Sequence, residues 1–200
     1  MIIVRDFVLP PPDIREVLRY MRAKEASGEL LGLINRASDE LLPRITPRVC
    51  YTELPIAVDG DRVRIGGAEC ISRGLSTRIS GAERAVVFVA TVGVEADRLI
   101  SRYSRISPSL AIAVSALATE RVEALCEELC RGVRAEKNAL GLDVKCRFSP
   151  GYGDLSLDFQ REIFKILSPE GKIGVTLTEG LLMTPTKSVS AIVGICDRAE

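Results

Sequence analysis

The chain has 200 residues, 46% of them apolar, which suits one domain with its own core and argues against a disordered chain. Lys and Arg number 27 and Asp and Glu 27, so no overall field draws the protein to nucleic acid or an anionic membrane. Histidine is absent, which removes the commonest metal ligand, the usual base of a serine or cysteine triad, and an axial imidazole for a corrinoid.

The first element predicted is a short amphipathic helix over residues 11–24, where Pro11 suits a helix entrance and Ile14, Val17, Leu18 and Met21 recur at helical spacing. After Ser27-Gly28, the run Leu30, Leu31, Ile34, Leu41 and Leu42 predicts a second helix, packed on the first and ending before Pro43. Residues 49–65 carry short β-favouring runs broken by Pro55 and Asp59-Gly60-Asp61, which read as a hairpin or two edge strands about a glycine turn. Residues 85–92 form an unbroken β-branched and aromatic run, the profile of a strand buried on both faces. Gly93 and a helix over residues 94–103 follow it, but neither GxGxxG nor GKS does, so the unit lacks a phosphate cradle.

The longest predicted helix spans residues 109–138, with Val114, Ala118, Val122, Leu125, Leu129 and Val133 on one stripe. Its first half is small and apolar nearly all round, and its second half turns Glu123, Glu127, Arg131 and Arg134 outward. Arg147 to Asp154 is a turn-rich loop, after which Ser156 is expected to cap a helix carrying Phe159, Ile163, Phe164 and Leu167. Alternation over residues 173–178 and again over 188–195 predicts two half-buried strands. Together these elements predict one α+β domain over residues 1–200: a mostly antiparallel twisted sheet, a long central helix and an N-terminal helical pair. The 6 cysteines read as reduced thiols, Cys126 and Cys130 packing in the core as neighbours on the long helix. With charges at Arg5 and Asp6 and no apolar run of about 18 residues, the chain is expected in the cytoplasm, away from membranes.

Of the loops, only Arg147 to Asp154 combines a fixed cation, an aromatic and glycines that open the backbone to a ligand. Arg147 suits a carboxylate or phosphate, Gly151 and Gly153 bare their amide edges, and Tyr152 offers a flat face with a polar tip. The loop would suit a small zwitterion with a planar ring. It would equally suit a tight turn in which Arg147 pairs with Asp154 or Glu179.

Arg147-Phe148-Ser149-Pro150-Gly151-Tyr152, Leu177-Thr178-Glu179, Met183-Thr184-Pro185 and Ser188-Val189-Ser190 follow one another as R-x-x-P-G-Y, L-T-E, M-x-P and S-V-S. In order and spacing these closely resemble the activation, S-adenosylmethionine-binding domain of cobalamin-dependent methionine synthase, in its short free-standing form. The resemblance implies that fold and a reactivation subunit that holds S-adenosylmethionine against cobalamin carried by a partner chain. There, one-electron reduction by a flavodoxin-like donor, coupled to methyl transfer from the sulfonium, returns accidentally oxidised cobalamin to use. Such a task needs orientation and no acid or base, so the missing histidines are no objection.

By the same resemblance Arg147 holds the methionyl carboxylate, and Phe148, Ser149, Gly151 and Tyr152 line the site. Glu179 of the L-T-E motif and Glu120, at an acidic helix position, are candidate oxygens for the positive sulfonium. Gly153-Asp154 stands where longer members continue with a proline, and the adjacent tyrosines of those members have no counterpart. Those departures suit a second reading: a docking module without ligand chemistry, or a reactivation accessory, for another corrinoid-dependent methyltransferase.

Overall fold

A computed structural model describes residues 1–23 and 25–198. In chain order the elements are β1 (Ile3–Asp6), α1 (Ile14–Tyr20), α2 (Gly28–Leu41), β2 (Arg48–Asp59), β3 (Arg62–Ile65), β4 (Ala68–Ile71), α3 (Arg73–Arg78) and β5 (Ala82–Thr91). They continue with α4 (Glu95–Ile106), α5 (Pro108–Asn138), β6 (Leu142–Val144), α6 (Phe159–Leu167), α7 (Pro169–Ile173), β7 (Thr176–Leu177), β8 (Met183–Thr184) and β9 (Ser188–Asp197). Lys24, the last residue of the first predicted helix, lies outside the described residues.

Seven strands form one antiparallel sheet in the order β4-β3-β2-β5-β9-β6, with β1 beside the first half of β2. The unbroken apolar run of β5 is explained by helices on both sides of it. Val86, Phe88 and Ala90 meet Leu125, Cys126 and Leu129 of α5, joined by Ala191 and Val193 of β9. Ala85, Val87 and Val89 face the other way, onto Leu75 and Ile79 near α3 and Phe159, Ile163 and Leu167 of α6. Each such fully buried Val, Leu, Ile or Phe side chain contributes about 1.5–3 kcal/mol by leaving water. A third cluster sets Val17 of α1, Ile34 and Leu41 of α2 and Leu99 of α4 around Leu110, Val114 and Leu117, which is why most of the first half of α5 is apolar, although Ile112 stays exposed. The fold is therefore α+β, with the long central helix and N-terminal helical pair that the sequence predicts. No helix among the described residues is long and apolar enough to cross a membrane.

Local chemistry sets several boundaries. Asp13 accepts from Arg15 N at 2.8 Å and caps α1, and Ser27 accepts from Leu30 N at 3.2 Å and caps α2. Cys126 and Cys130 are both buried against the sheet, and burial pushes the Cys130 thiol up to about 11, which keeps it protonated near neutrality.

Elsewhere the structure departs from the sequence reading. The expected hairpin about Gly60 forms between β2 and β3, but β2 lies inside the sheet, not at an edge; Pro55 is tolerated because it falls where pairing on one side passes from β1 to β3. β1 is exposed along its whole length and has no apolar alternation to betray it. β9 is buried on both faces because α5 and α6 cover it from opposite sides. Ile173 and Val175 reach the core by another route than a strand: Ile173 ends α7, Gly174 turns at φ +70°, and only Thr176–Leu177 pair, with β8. Ser156 accepts from Asp158 N at 3.2 Å within a turn, and α6 begins later, at Phe159.

Candidate ligand-binding site

The loop from Arg147 to Leu155 crosses the edge of β9 just beyond β6 and is anchored at both ends. Phe148 exchanges two backbone hydrogen bonds of 2.8 Å with Ile192 of β9, and Leu155 is buried. Asp154 is the second anchor: its carboxylate accepts from Ser72 Oγ at 2.6 Å, Arg73 N at 2.7 Å and Gly74 N at 3.0 Å, at the start of α3. Glycine is required at position 74, since a Cβ there would come within 2.9 Å of Asp154 Oδ1 and 3.1 Å of Phe148 Cζ. Gly151 sits at φ +87°, a left-handed turn that a side chain would strain, and its N–H donates to Leu155 O at 2.9 Å.

The hydrogen bond from Ser72, followed by those from the Gly74 and Arg73 amides, holds the Asp154 carboxyl below its ordinary pKa. A depressed carboxylate stabilises the fold at every pH above its unfolded value, about 3.9, and that contribution disappears as the pH falls through the folded value. Asp154→Asn is therefore expected to melt below the parent protein at neutral pH. The gap should close only below about pH 4, in thermal melts taken from pH 7 to 3. A constant gap over that range would show that the carboxylate charge does not hold this loop.

Between the anchors the loop borders a cavity of about 440 Å³, within the roughly 300–1,000 Å³ range of small-molecule sites. Arg147, Phe148, Ser149 and Tyr152 of the candidate residues line it, and Gly151 shapes the turn that carries them. Tyr152 is exposed at the rim. The wall is completed by Glu123 of α5, Arg78 of α3, Gln160 of α6, Met183 of β8, and Ser188, Val189 and Ser190 of β9. The M-x-P and S-V-S motifs thus meet R-x-x-P-G-Y at one place.

Arg147 pairs with neither of the carboxylates suggested for a tight turn. Its guanidinium binds Glu123 and lies 3.5 Å from Glu127, both on α5. Burial works against the charge of Arg147, but the facing carboxylates outweigh it, and the guanidinium remains a fixed cation. Glu123 was expected to point outward; it is half-buried because Arg147 holds it. The pair forms a partition, with a second cavity of about 390 Å³ on its far side.

Glu120 lines that second cavity and not the first. Buried beside Arg121, it accepts from both the Arg121 guanidinium and Asp13 N, the latter at 3.1 Å, while Arg121 donates to Pro10 O. These contacts fasten the N-terminal segment to α5. Glu179 lies exposed in the turn between β7 and β8, its carbonyl accepting from Arg161 at 3.0 Å, and does not line the cavity. No residue of the L-T-E motif lines the cavity; Met183, in the next strand of the same hairpin, does.

An antiparallel sheet between a long helix and a helical layer, with a cation-bearing cavity over one strand edge, defines an α+β domain with a candidate small-molecule site. Comparison with known proteins places it further. Residues 70–200 match the model of the family described as vitamin B12 dependent methionine synthase, activation domain, and the chain belongs to that family. Its fold is similar to a crystal structure of the MetH reactivation domain bound to AdoHcy, with a TM-score of 0.72 and 18% sequence identity, over 100% of this chain and 80% of that one. A search of curated protein sequences found no match.

Proposed function

We propose that this chain binds S-adenosylmethionine in the Arg147 cavity and presents its methyl group to a corrinoid carried by a partner chain, as a reactivation subunit of cobalamin-dependent methionine synthase. On this reading the activation-domain unit extends over the whole of residues 1–200. The observation that carries the proposal is the division of the cavity wall. Its α5 side holds an internal ion pair, Arg147 with Glu123, and its other side holds Gln160 and Ser190, with the exposed Arg78 at the end of α3. A ligand with a zwitterionic tail and a hydrogen-bonding head matches both ends. The family assignment and the AdoHcy held by the similar structure are in keeping with such a ligand.

Each residue then has a physical task. The Arg147 fork takes the ligand carboxylate, and Glu123, released from Arg147, takes the ammonium; one internal pair is exchanged for two pairs with no change in net charge. Phe148 and Met183 supply apolar wall, and Ser149 supplies a polar edge. S-adenosylmethionine supplies an activated methyl on a positive sulfonium. The protein's contribution is to hold that methyl in line toward the partner, which is catalysis by orientation alone. Tyr152 at the rim and exposed Leu182 beside Met183 offer apolar surface to the partner's corrinoid face.

Calorimetric titration tests the proposal. Both S-adenosylmethionine and S-adenosylhomocysteine are expected to bind saturably at one site per chain, and absence of heat with either at millimolar concentration would overturn it.

A further inference from the structure

Three charged side chains line the ligand cavity: Arg78, Glu123 and Arg147. Arg147 and Glu123 neutralise each other, and Glu127, 3.5 Å from the same guanidinium, adds a second carboxylate. One cation facing two carboxylates leaves the α5 end of the cavity with an excess of negative charge, which opposes the carboxylate of an incoming ligand. Arg78 is the charge that remains. It is exposed, and among the described residues neither an ion pair nor a side-chain hydrogen bond holds its guanidinium. With it, two cations stand against two carboxylates.

The fold fixes the root of Arg78 and leaves its head free. Arg78 ends α3, whose Leu75 and Ile79 are buried in the cluster with α6, on the face of the sheet away from α5. Arg147 turns the other way, onto α5, so the two arginines reach one cavity from opposite sides of the sheet. Helix and loop are also fastened together. Asp154, at the end of the arginine loop, accepts from Ser72 Oγ, Arg73 N and Gly74 N at the start of α3. The element that anchors the loop of Arg147 is therefore the one that carries Arg78.

We infer that Arg78 is a further ligand-binding residue, which closes over the ligand carboxylate from the side opposite Arg147. The inference rests on the proposed function above and extends it to a residue outside the recognised motifs. Arg147 is held by glutamates before the ligand arrives, whereas Arg78 is ordered only by the ligand and gives up side-chain freedom in closing. Its contribution is accordingly the smaller of the two. The pair of arginines selects for an amino-acid tail, because a nucleoside without a carboxylate offers Arg78 no partner.

A charge series at position 78 tests this by calorimetric titration with S-adenosylhomocysteine. That ligand is a zwitterion without net charge, on which a distant charge has little hold, so dependence on the charge at position 78 reports contact. Arg78→Gln is expected to weaken binding about tenfold, Arg78→Lys to stay within about threefold of the parent, and Arg78→Glu to bind more weakly than Arg78→Gln. All three should melt within about 2 °C of the parent, because the side chain they replace is exposed and holds no other group. Equal affinity in Arg78→Gln and the parent would overturn the inference and leave the proposed function intact. Equal losses in the Gln and Lys variants would also overturn it, since that is the mark of a side chain needed for its shape and not its charge. If the parent protein binds neither S-adenosylhomocysteine nor S-adenosylmethionine, the proposed function fails and the inference fails with it.

Discussion

Replacing Arg147 by alanine is expected to weaken S-adenosylhomocysteine binding by roughly 30- to 150-fold, the equivalent of about 2–3 kcal/mol for a hydrogen-bonded charge pair. The size of the effect follows from geometry. The guanidinium is three-quarters buried, is held in place by Glu123 and Glu127, and is the cation on the α5 side of the cavity wall. Lysine at the same position would restore a point charge without the two-pronged fork, so Arg147→Lys should recover only part of the affinity. Stability should change little by comparison, because Glu123 is 34% exposed at its side chain and can be hydrated once its partner is gone. Titration of the three proteins with the same ligand separates the outcomes. Equal affinity in the alanine variant would mean that the ligand carboxylate, if it binds here, is held by something else.

The largest loss of stability is expected from the neighbouring ion pair on α5. Arg121 is 2% and Glu120 7% exposed at the side chain, and between them they hold Pro10 O and Asp13 N of the N-terminal segment. Breaking a buried pair strands a charge away from water and costs about 3–5 kcal/mol, whereas replacing both partners by apolar groups of similar volume is far milder. Arg121→Leu and Glu120→Leu should each lower the melting temperature by roughly 6–20 °C, at about 2–4 °C per kcal/mol for a chain of this size. The double variant should melt above either single one. Ligand affinity should stay within about twofold in Arg121→Leu, which does not line the ligand cavity. A Glu120→Leu variant that keeps its melting temperature and loses the ligand would instead place Glu120 in the binding site, as the family resemblance of that acidic helix position implies.

The two predictions divide residues that look equivalent in the sequence. Glu120 and Glu123 are one turn apart on the same helix, and both were readable only as acidic positions on it. Sequence reasoning put Glu120 at the ligand and Glu123 in solvent; the structure sets Glu123 against Arg147 and ties Glu120 to Arg121. Nothing local distinguishes them, because what differs is the partner, and the partner of Glu123 lies beyond the end of the helix. Gln160 left a clearer trace. It occupies a buried helical position in register with Ile163 and Leu167, where periodicity calls for an apolar residue, and it stands on the cavity wall.

Residue order alone determined the elements whose burial is uniform along a face: the long α5, the doubly covered β5, and α2 with its serine cap. Its motifs also pointed to the family, which the match of residues 70–200 to the activation-domain model then showed. Periodicity reports how much of an element is covered and not by what. Hence an exposed β1, a central β2 and a β9 covered on both sides were decided only by neighbours distant in the chain. The ligand site belongs to the same class. Its wall joins α3, α5, α6, β8, β9 and one loop, and which side chains meet there depends on long-range packing that no window of sequence contains.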